Sequence, residues 1–91
     1  MRVEAQIAYP EGQLTLATAS ALLAEGEQAL AQGCNSFDLS GVEHVDSAAL
    51  SLIMSWKRAA AAQGRTITFR NIPATLVSLA TLYGVAEFLN A

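Results

Sequence analysis

The sequence predicts a small α/β fold in which a mixed sheet of about four strands carries three helices, in the order β-β-α-β-α-β-α. Three observations lead there. Apolar and polar residues alternate with period two at the N-terminus and again over residues 65–70. Three segments with helical spacing each run into a glycine, Gly33, Gly64 and Gly84. Strand-like and helix-like segments also take turns along the chain, and the helices are long enough to connect parallel strands. A chain of 91 residues has room for one core, so a single domain over 1–91 is expected.

Val3, Ala5, Ile7 and Tyr9 alternate with Arg2, Glu4, Gln6 and Ala8, the pattern of a half-buried edge strand. Pro10-Glu11-Gly12 is turn chemistry, and Leu14 and Leu16 then fall on one face, which predicts a β-hairpin over residues 1–17. Thr18 or Ser20 can cap a helix reaching about Gln32, with Leu22, Leu23, Gly26, Ala29 and Leu30 facing a core. Gly26 lowers helix propensity by about 1 kcal/mol relative to Ala. It either marks close packing or sits incidentally on the surface.

Residues 36–40 suit a central strand, and a second helix is expected from Ala48 to about Gln63. Placed at roughly 100° per residue, Ala49, Leu50, Ile53, Met54, Ala60 and Ala61 share an apolar arc on this helix. Leu52 and Trp56 extend the arc, and Ser51, Ser55 and Arg58 form a narrow polar face. Such an arc is wider than one sheet face needs. Trp56 and Leu52 are therefore open to two readings, peripheral core or partner interface. Ile67 and Phe69 point inward from the next strand; Asn71-Ile72-Pro73 introduces the last helix, with Leu76, Leu79, Ala80 and Tyr83 on one stripe. Val85, Phe88 and Leu89 form a tail that tucks back on the core.

Apolar residues make up 53% of the chain and charged residues 14%, which leans toward partner binding. A net charge of −3 supplies no basic stripe for phosphates, so nucleic acid is not an expected ligand. No apolar run approaches the roughly 20 residues that cross a bilayer, and the N-terminus lacks a signal-peptide layout; a cytoplasmic protein without direct membrane insertion is expected. Cys34 is the only cysteine and reads as an inert thiol. Phosphate-cradling and dinucleotide-binding glycine motifs are absent from the sequence, so no cofactor is expected. His44 and Glu43 lack a second His or Cys at ligand spacing and read as turn residues, not as metal ligands.

The chain is organised around residues 37–50: a buried strand, a polar turn, and a helix opened by Asp46-Ser47. A helix start leaves backbone N–H groups unpaired and favours negative charge. Ser47 can cap the helix, contact a partner or accept a phosphate; Asp46 can cap in its place or meet a basic partner. Asp38, if buried, needs backbone donors to stabilise its charge.

These residues resemble the STAS domains, a family that includes the antagonists of bacterial anti-sigma factors. The resemblance is carried by Phe37-Asp38-Leu39-Ser40, by Gly41-Val42-Glu43-His44-Val45, and by Asp46-Ser47-Ala48-Ala49-Leu50, with the later elements in the family's order. The length and the stretch Leu79-Ala80-Thr81-Leu82-Tyr83-Gly84-Val85 look most like the MlaB-like cytoplasmic subunit of Mla-type phospholipid ABC transporters, which maintain outer-membrane lipid asymmetry. That resemblance implies a regulatory or stabilising subunit and not an enzyme. Its implied partner is the transporter's ATPase and, indirectly, the membrane permease, bound through Asp46, Ser47, Ala48, Ser51, Leu52 and Trp56. It would hold the chain in the cytoplasm, peripheral to the inner membrane. The alternative is an anti-sigma factor antagonist that binds a kinase and is switched by phosphorylation at Ser47. This chain has Ala49 where those antagonists usually have Gly, and Ser47 where the transporter subunit often has Thr.

Overall fold

The N-terminal alternating stretch folds back on itself sooner than its turn residues predict. In the computed structural model, which describes residues 1–89, β1 (Arg2–Glu4) and β2 (Ile7–Tyr9) form an antiparallel hairpin in register Glu4↔Ile7. Its two-residue turn is Ala5-Gln6, both at positive φ (49° and 67°), the backbone that matches the twist of paired strands. The hairpin is thus tighter than predicted, and Pro10-Glu11 instead carries the chain out of the sheet. From there β3 (Gly12–Leu14) pairs in parallel with β5 (Val42–Val45) as a separate two-stranded ribbon. Leu14 is fully buried in it, whereas Leu16 lies beyond the strand and is 81% exposed, so the two leucines do not share a face.

The main sheet has four strands in the order β1-β2-β4-β6, with β4 (Ser36–Asp38) and β6 (Thr68–Arg70). β1 is an edge strand and runs antiparallel to its neighbour; β2, β4 and β6 run parallel, in register Ala8↔Phe37 and Phe37↔Phe69. This is the mixed four-stranded sheet with three helices expected from the sequence. The last two residues of the expected 1–91 domain lie outside the described residues.

Helix α1 (Ala19–Ala31) buries Leu22, Gly26, Ala29 and Leu30. Thr18 holds its N-cap position without capping it; the Thr18 hydroxyl donates to the Gln13 carbonyl and accepts from the Thr15 amide. At the other end Gly33 takes φ 97°. Arg65 donates to the carbonyls of Leu30 and Cys34, a cation at the helix C-terminus where the macrodipole favours one. Cys34 is buried; burial pushes its thiol above the ordinary value, against the opposing pull of the Arg65 charge, so it is held as an unreactive thiol.

Helix α2 (Ser47–Ala62) packs on both α1 and α3 (Ala74–Leu82), and the short 3-10 turn Ala86–Leu89 follows α3. The width of its apolar arc has its explanation here. Trp56 is fully buried and stacks on Phe37 of the central strand, with ring centroids 4.4 Å apart and planes 22° from parallel. The other edge of the same indole lies against α1 at Gly26: a Cβ built there would stand 2.0 Å from Trp56 Nε1. Leu52 is 4% exposed. Trp56 thus serves the sheet and α1, Leu52 belongs to the same buried core, and neither presents a surface to a partner. Gly26 marks close packing.

At the end of β4, Asp38 is half-buried and closes a turn by accepting the Ser40 amide at 2.9 Å. Asn71, at φ 53°, donates its side-chain amide to both carboxylate oxygens from the loop after β6. The Ser40 hydrogen bonds first, then Asn71 and the Arg70 charge, outweigh desolvation and hold the carboxyl below the usual range.

Two measurements check this packing. Gly26→Ala should lower stability by at least about 1–3 kcal/mol in urea titration, because the overpacking at Trp56 outweighs the gain in helix propensity; a stabilised variant would refute the contact. For Asp38, the folded-state pKa is depressed, so its contribution is present above the unfolded value of about 3.9 and lost as pH falls through the lower folded value. The stability gap between wild type and Asp38→Asn should shrink on acidification across that window, and a gap that stays constant would exclude the carboxylate charge as its cause.

Candidate functional site

The turn before α2 is built by one carboxylate. Asp46 is the N-cap of α2: its Oδ1 accepts the Ala48 amide at 2.8 Å, and its Oδ2 accepts the Leu16 amide at 3.0 Å from across the chain. The Asp46 backbone amide donates to the Leu14 carbonyl at 3.3 Å. Capping therefore belongs to Asp46, a residue type strongly preferred there, and Ser47 is left as the first residue of the helix with an exposed side chain. The sequence admitted both caps; the extended backbone at Asp46, φ −131° and ψ −172°, suits it to the half-in position.

Around this helix start runs an open groove of about 570 Å³. Asp46, Ser47, Ala48 and Ser51 line it from the first turns of α2, and Leu50 and Met54 continue it along the helix. Leu16, from the β3–α1 loop, and Tyr83 and Val85, from the end of α3, complete it. Leu16 is 81% and Tyr83 59% exposed, so the groove has apolar walls open to solvent. Of the predicted site residues, Asp46, Ser47, Ala48 and Ser51 come together here. Leu52 and Trp56 are not among its lining residues: both are buried in the core, Trp56 between Phe37 and Gly26.

Leu16, Met54, Tyr83 and Val85 are functional candidates that sequence reasoning missed. Leu16 continued the alternation of a strand that ends at Leu14, and Tyr83 completed a helical stripe whose earlier members, Leu76 and Ala80, are buried. One signal was present. No charged residue occurs between Asn71 and Ala86, so α3 has no charged outer face. A helix apolar on most sides is covered by something in an ordinary globular protein. Here Val77 in the middle of the helix, Leu82 at its end and Tyr83 at its C-cap stand exposed, and Phe88 follows on the closing turn.

The groove's chemistry is correspondingly narrow. No lysine or arginine is among its lining residues, and the Asp46 carboxylate already serves two amides. His44 and Glu43 lie exposed on β5, outside the groove. Among the described residues no group of three His, Cys, Asp or Glu is placed to hold a metal ion, and no helix is long and apolar enough to cross a membrane. What the arrangement can do is receive an uncharged, apolar element against a hydroxyl-bearing helix start.

Among solved structures, the chain is similar to the anti-sigma factor antagonist SpoIIAA in its unphosphorylated form, with a TM-score of 0.63, 16% identity, and coverage of 90% of this chain and 79% of that one. It is also similar to a sulfate transporter family protein from Wolinella succinogenes, with a TM-score of 0.66, 15% identity, and coverage of 99% and 76%. At such identities the likeness is one of fold. A comparison with curated proteins gave no match. The family model described as "Mlab, STAS domain" matches residues 11–90, which takes in β3, the Asp46-Ser47 turn and every helix, and the chain therefore belongs to that STAS-domain family.

Proposed function

We propose that this domain is a non-enzymatic regulatory or stabilising subunit that docks on the cytoplasmic ATPase of an Mla-type phospholipid ABC transporter. The observation that carries the reading is the groove at the start of α2, free of lysine and arginine and walled by exposed Leu16 and Tyr83, in a chain of the Mlab STAS family. Ser47, Ala48 and Ser51, beside the Asp46 cap, form the side of the contact at the helix start, and Leu16, Met54, Tyr83 and Val85 the apolar side. The subunit sits in the cytoplasm, peripheral to the inner membrane, and meets the permease only through the ATPase. It needs neither cofactor nor metal for this role.

A second reading has its own support. Ser47 is exposed at the first position of α2, and the similar SpoIIAA structure is described as an unphosphorylated form of an anti-sigma factor antagonist. A phosphate on Ser47 would bring about −1.5 to −2 charges, welcome at the helix N-terminus and disruptive to an apolar contact. In that reading the partner is an anti-sigma factor kinase.

Ser47→Glu tests docking at this site while leaving the fold alone. An exposed acidic residue in the first helical turn should change stability by no more than about 0.5 kcal/mol. Co-purification with the ATPase should nonetheless fall about tenfold or more, because the charge must be desolvated on docking. Undiminished co-purification of a folded Ser47→Glu chain would overturn docking at this site. A mass increase at Ser47 that depends on an added anti-sigma factor kinase would favour the second reading.

A further inference from the structure

The β3–α1 loop, residues 15–18, presents Leu16 almost wholly to solvent yet in a defined place. Its own bonds are internal: the Thr18 hydroxyl accepts from the Thr15 amide and donates to the Gln13 carbonyl, and the Thr18 amide donates to the Thr15 carbonyl. The Leu16 amide is different. It donates to Asp46 Oδ2 at 3.0 Å, thirty residues away in sequence. The same carboxylate holds the Ala48 amide with its other oxygen. One side chain thus fixes the relative placement of two segments that line one groove.

We infer that Asp46 is a positioning residue for partner docking: its carboxylate clips the β3–α1 loop to the start of α2 so that Leu16 stands as the groove's wall. The inference rests on the docking reading above and deepens it. Asp46 acts through Leu16, not by touching the partner, and capping and clipping are separable because they use different oxygens. Asn is as good an N-cap as Asp. With its single carbonyl oxygen on the Ala48 amide, however, an asparagine side chain in place of Asp46 would turn an NH₂ group toward the Leu16 amide, donor against donor. Asp46→Asn therefore keeps the helix and releases the loop, and the backbone bond from this position to the Leu14 carbonyl survives in both forms.

The test combines amide exchange in the full chain with binding to the Mla-type ATPase. In Asp46→Asn, exchange at the Leu16 amide should quicken roughly tenfold to a hundredfold, as expected for loss of a hydrogen bond to a charged acceptor, with the Ala48 amide unchanged. ATPase affinity should fall about fivefold or more. Leu16→Ser should weaken binding similarly without loss of stability, and adding it to Asp46→Asn should cost little more, since both act through one side chain. Strictly additive losses, or lost binding with Leu16 still protected, would overturn the inference in favour of direct contact by Asp46. Wild-type affinity in an Asp46→Asn chain whose Leu16 amide exchanges freely would overturn it too. A wild-type chain that fails to bind the ATPase would remove the docking reading and this inference with it, a result distinct from the others because it appears before any substitution is made.

Discussion

The packing of one indole decides where α2 lies. Trp56 stacks on Phe37 at the centre of the sheet and presses its five-membered ring into the backbone of α1 at Gly26. Helix and sheet cannot both approach the ring this closely unless α1 lacks a side chain at that point. The conformational cost of a mid-helix glycine, about 1 kcal/mol, is offset by burial of the largest side chain in the core. The fit has a further cost. Trp56 Nε1 is buried with no hydrogen-bond partner among the described residues, a loss on the order of 1–3 kcal/mol. The ring's area and its aromatic stacking compensate, so the fold tolerates a buried orphan donor to fix one helix against two layers.

Once α2 is fixed, its N-terminus becomes a platform. The Asp46 cap satisfies a helix-end donor and reaches the β3–α1 loop, while β3 and β5 bring that loop and the turn before α2 side by side. At the far end, Lys57 donates to the Phe88 carbonyl and Leu89 is buried, which draws the segment after α3 back over α2. The groove is thereby made of three pieces distant in sequence: Leu16, the Asp46–Met54 stretch, and Tyr83 with Val85. Each lies at or beside the end of an element: Leu16 after β3, Asp46 at the start of α2, and Tyr83 at the end of α3.

That composition explains what the sequence showed and what it withheld. The glycine stops, the strand at Phe37 and the alternation around Phe69 are local signals, and they gave the element order and the mixed sheet. The Ala5-Gln6 turn was invisible because neither residue is a habitual left-handed former; the pairing of β1 with β2 imposes that backbone. Trp56 was ambiguous for a different reason. Helical periodicity gives the angle of an apolar arc and cannot say how many neighbours stand opposite it. Two neighbours, the sheet and α1, consume the width that otherwise suggested an interface. Asp46, Ser47, Ala48 and Ser51 were legible because a cap and its first turns are contiguous; Leu16 and Tyr83 were not, since only tertiary placement brings them to the same groove.

Size sharpens the functional argument. A domain of this length buries a smaller share of its surface than a larger one, and its stability margin is correspondingly thin. This chain nevertheless leaves Leu16 and Leu82 mostly in solvent, side chains whose full burial is worth on the order of 1.5–3 kcal/mol each, and Val77, Tyr83 and Phe88 partly so. Folding alone does not recover that energy; docking at the groove would recover the share held by Leu16 and Tyr83. By linkage, a partner that binds only the folded domain stabilises it, by about 2.7 kcal/mol at a hundredfold excess over its dissociation constant. The coupling is reciprocal, so a partner that stabilised this domain would itself be biased toward the conformation that the domain fits. On the docking reading proposed above, the means of that coupling would be apolar surface that the domain cannot bury alone.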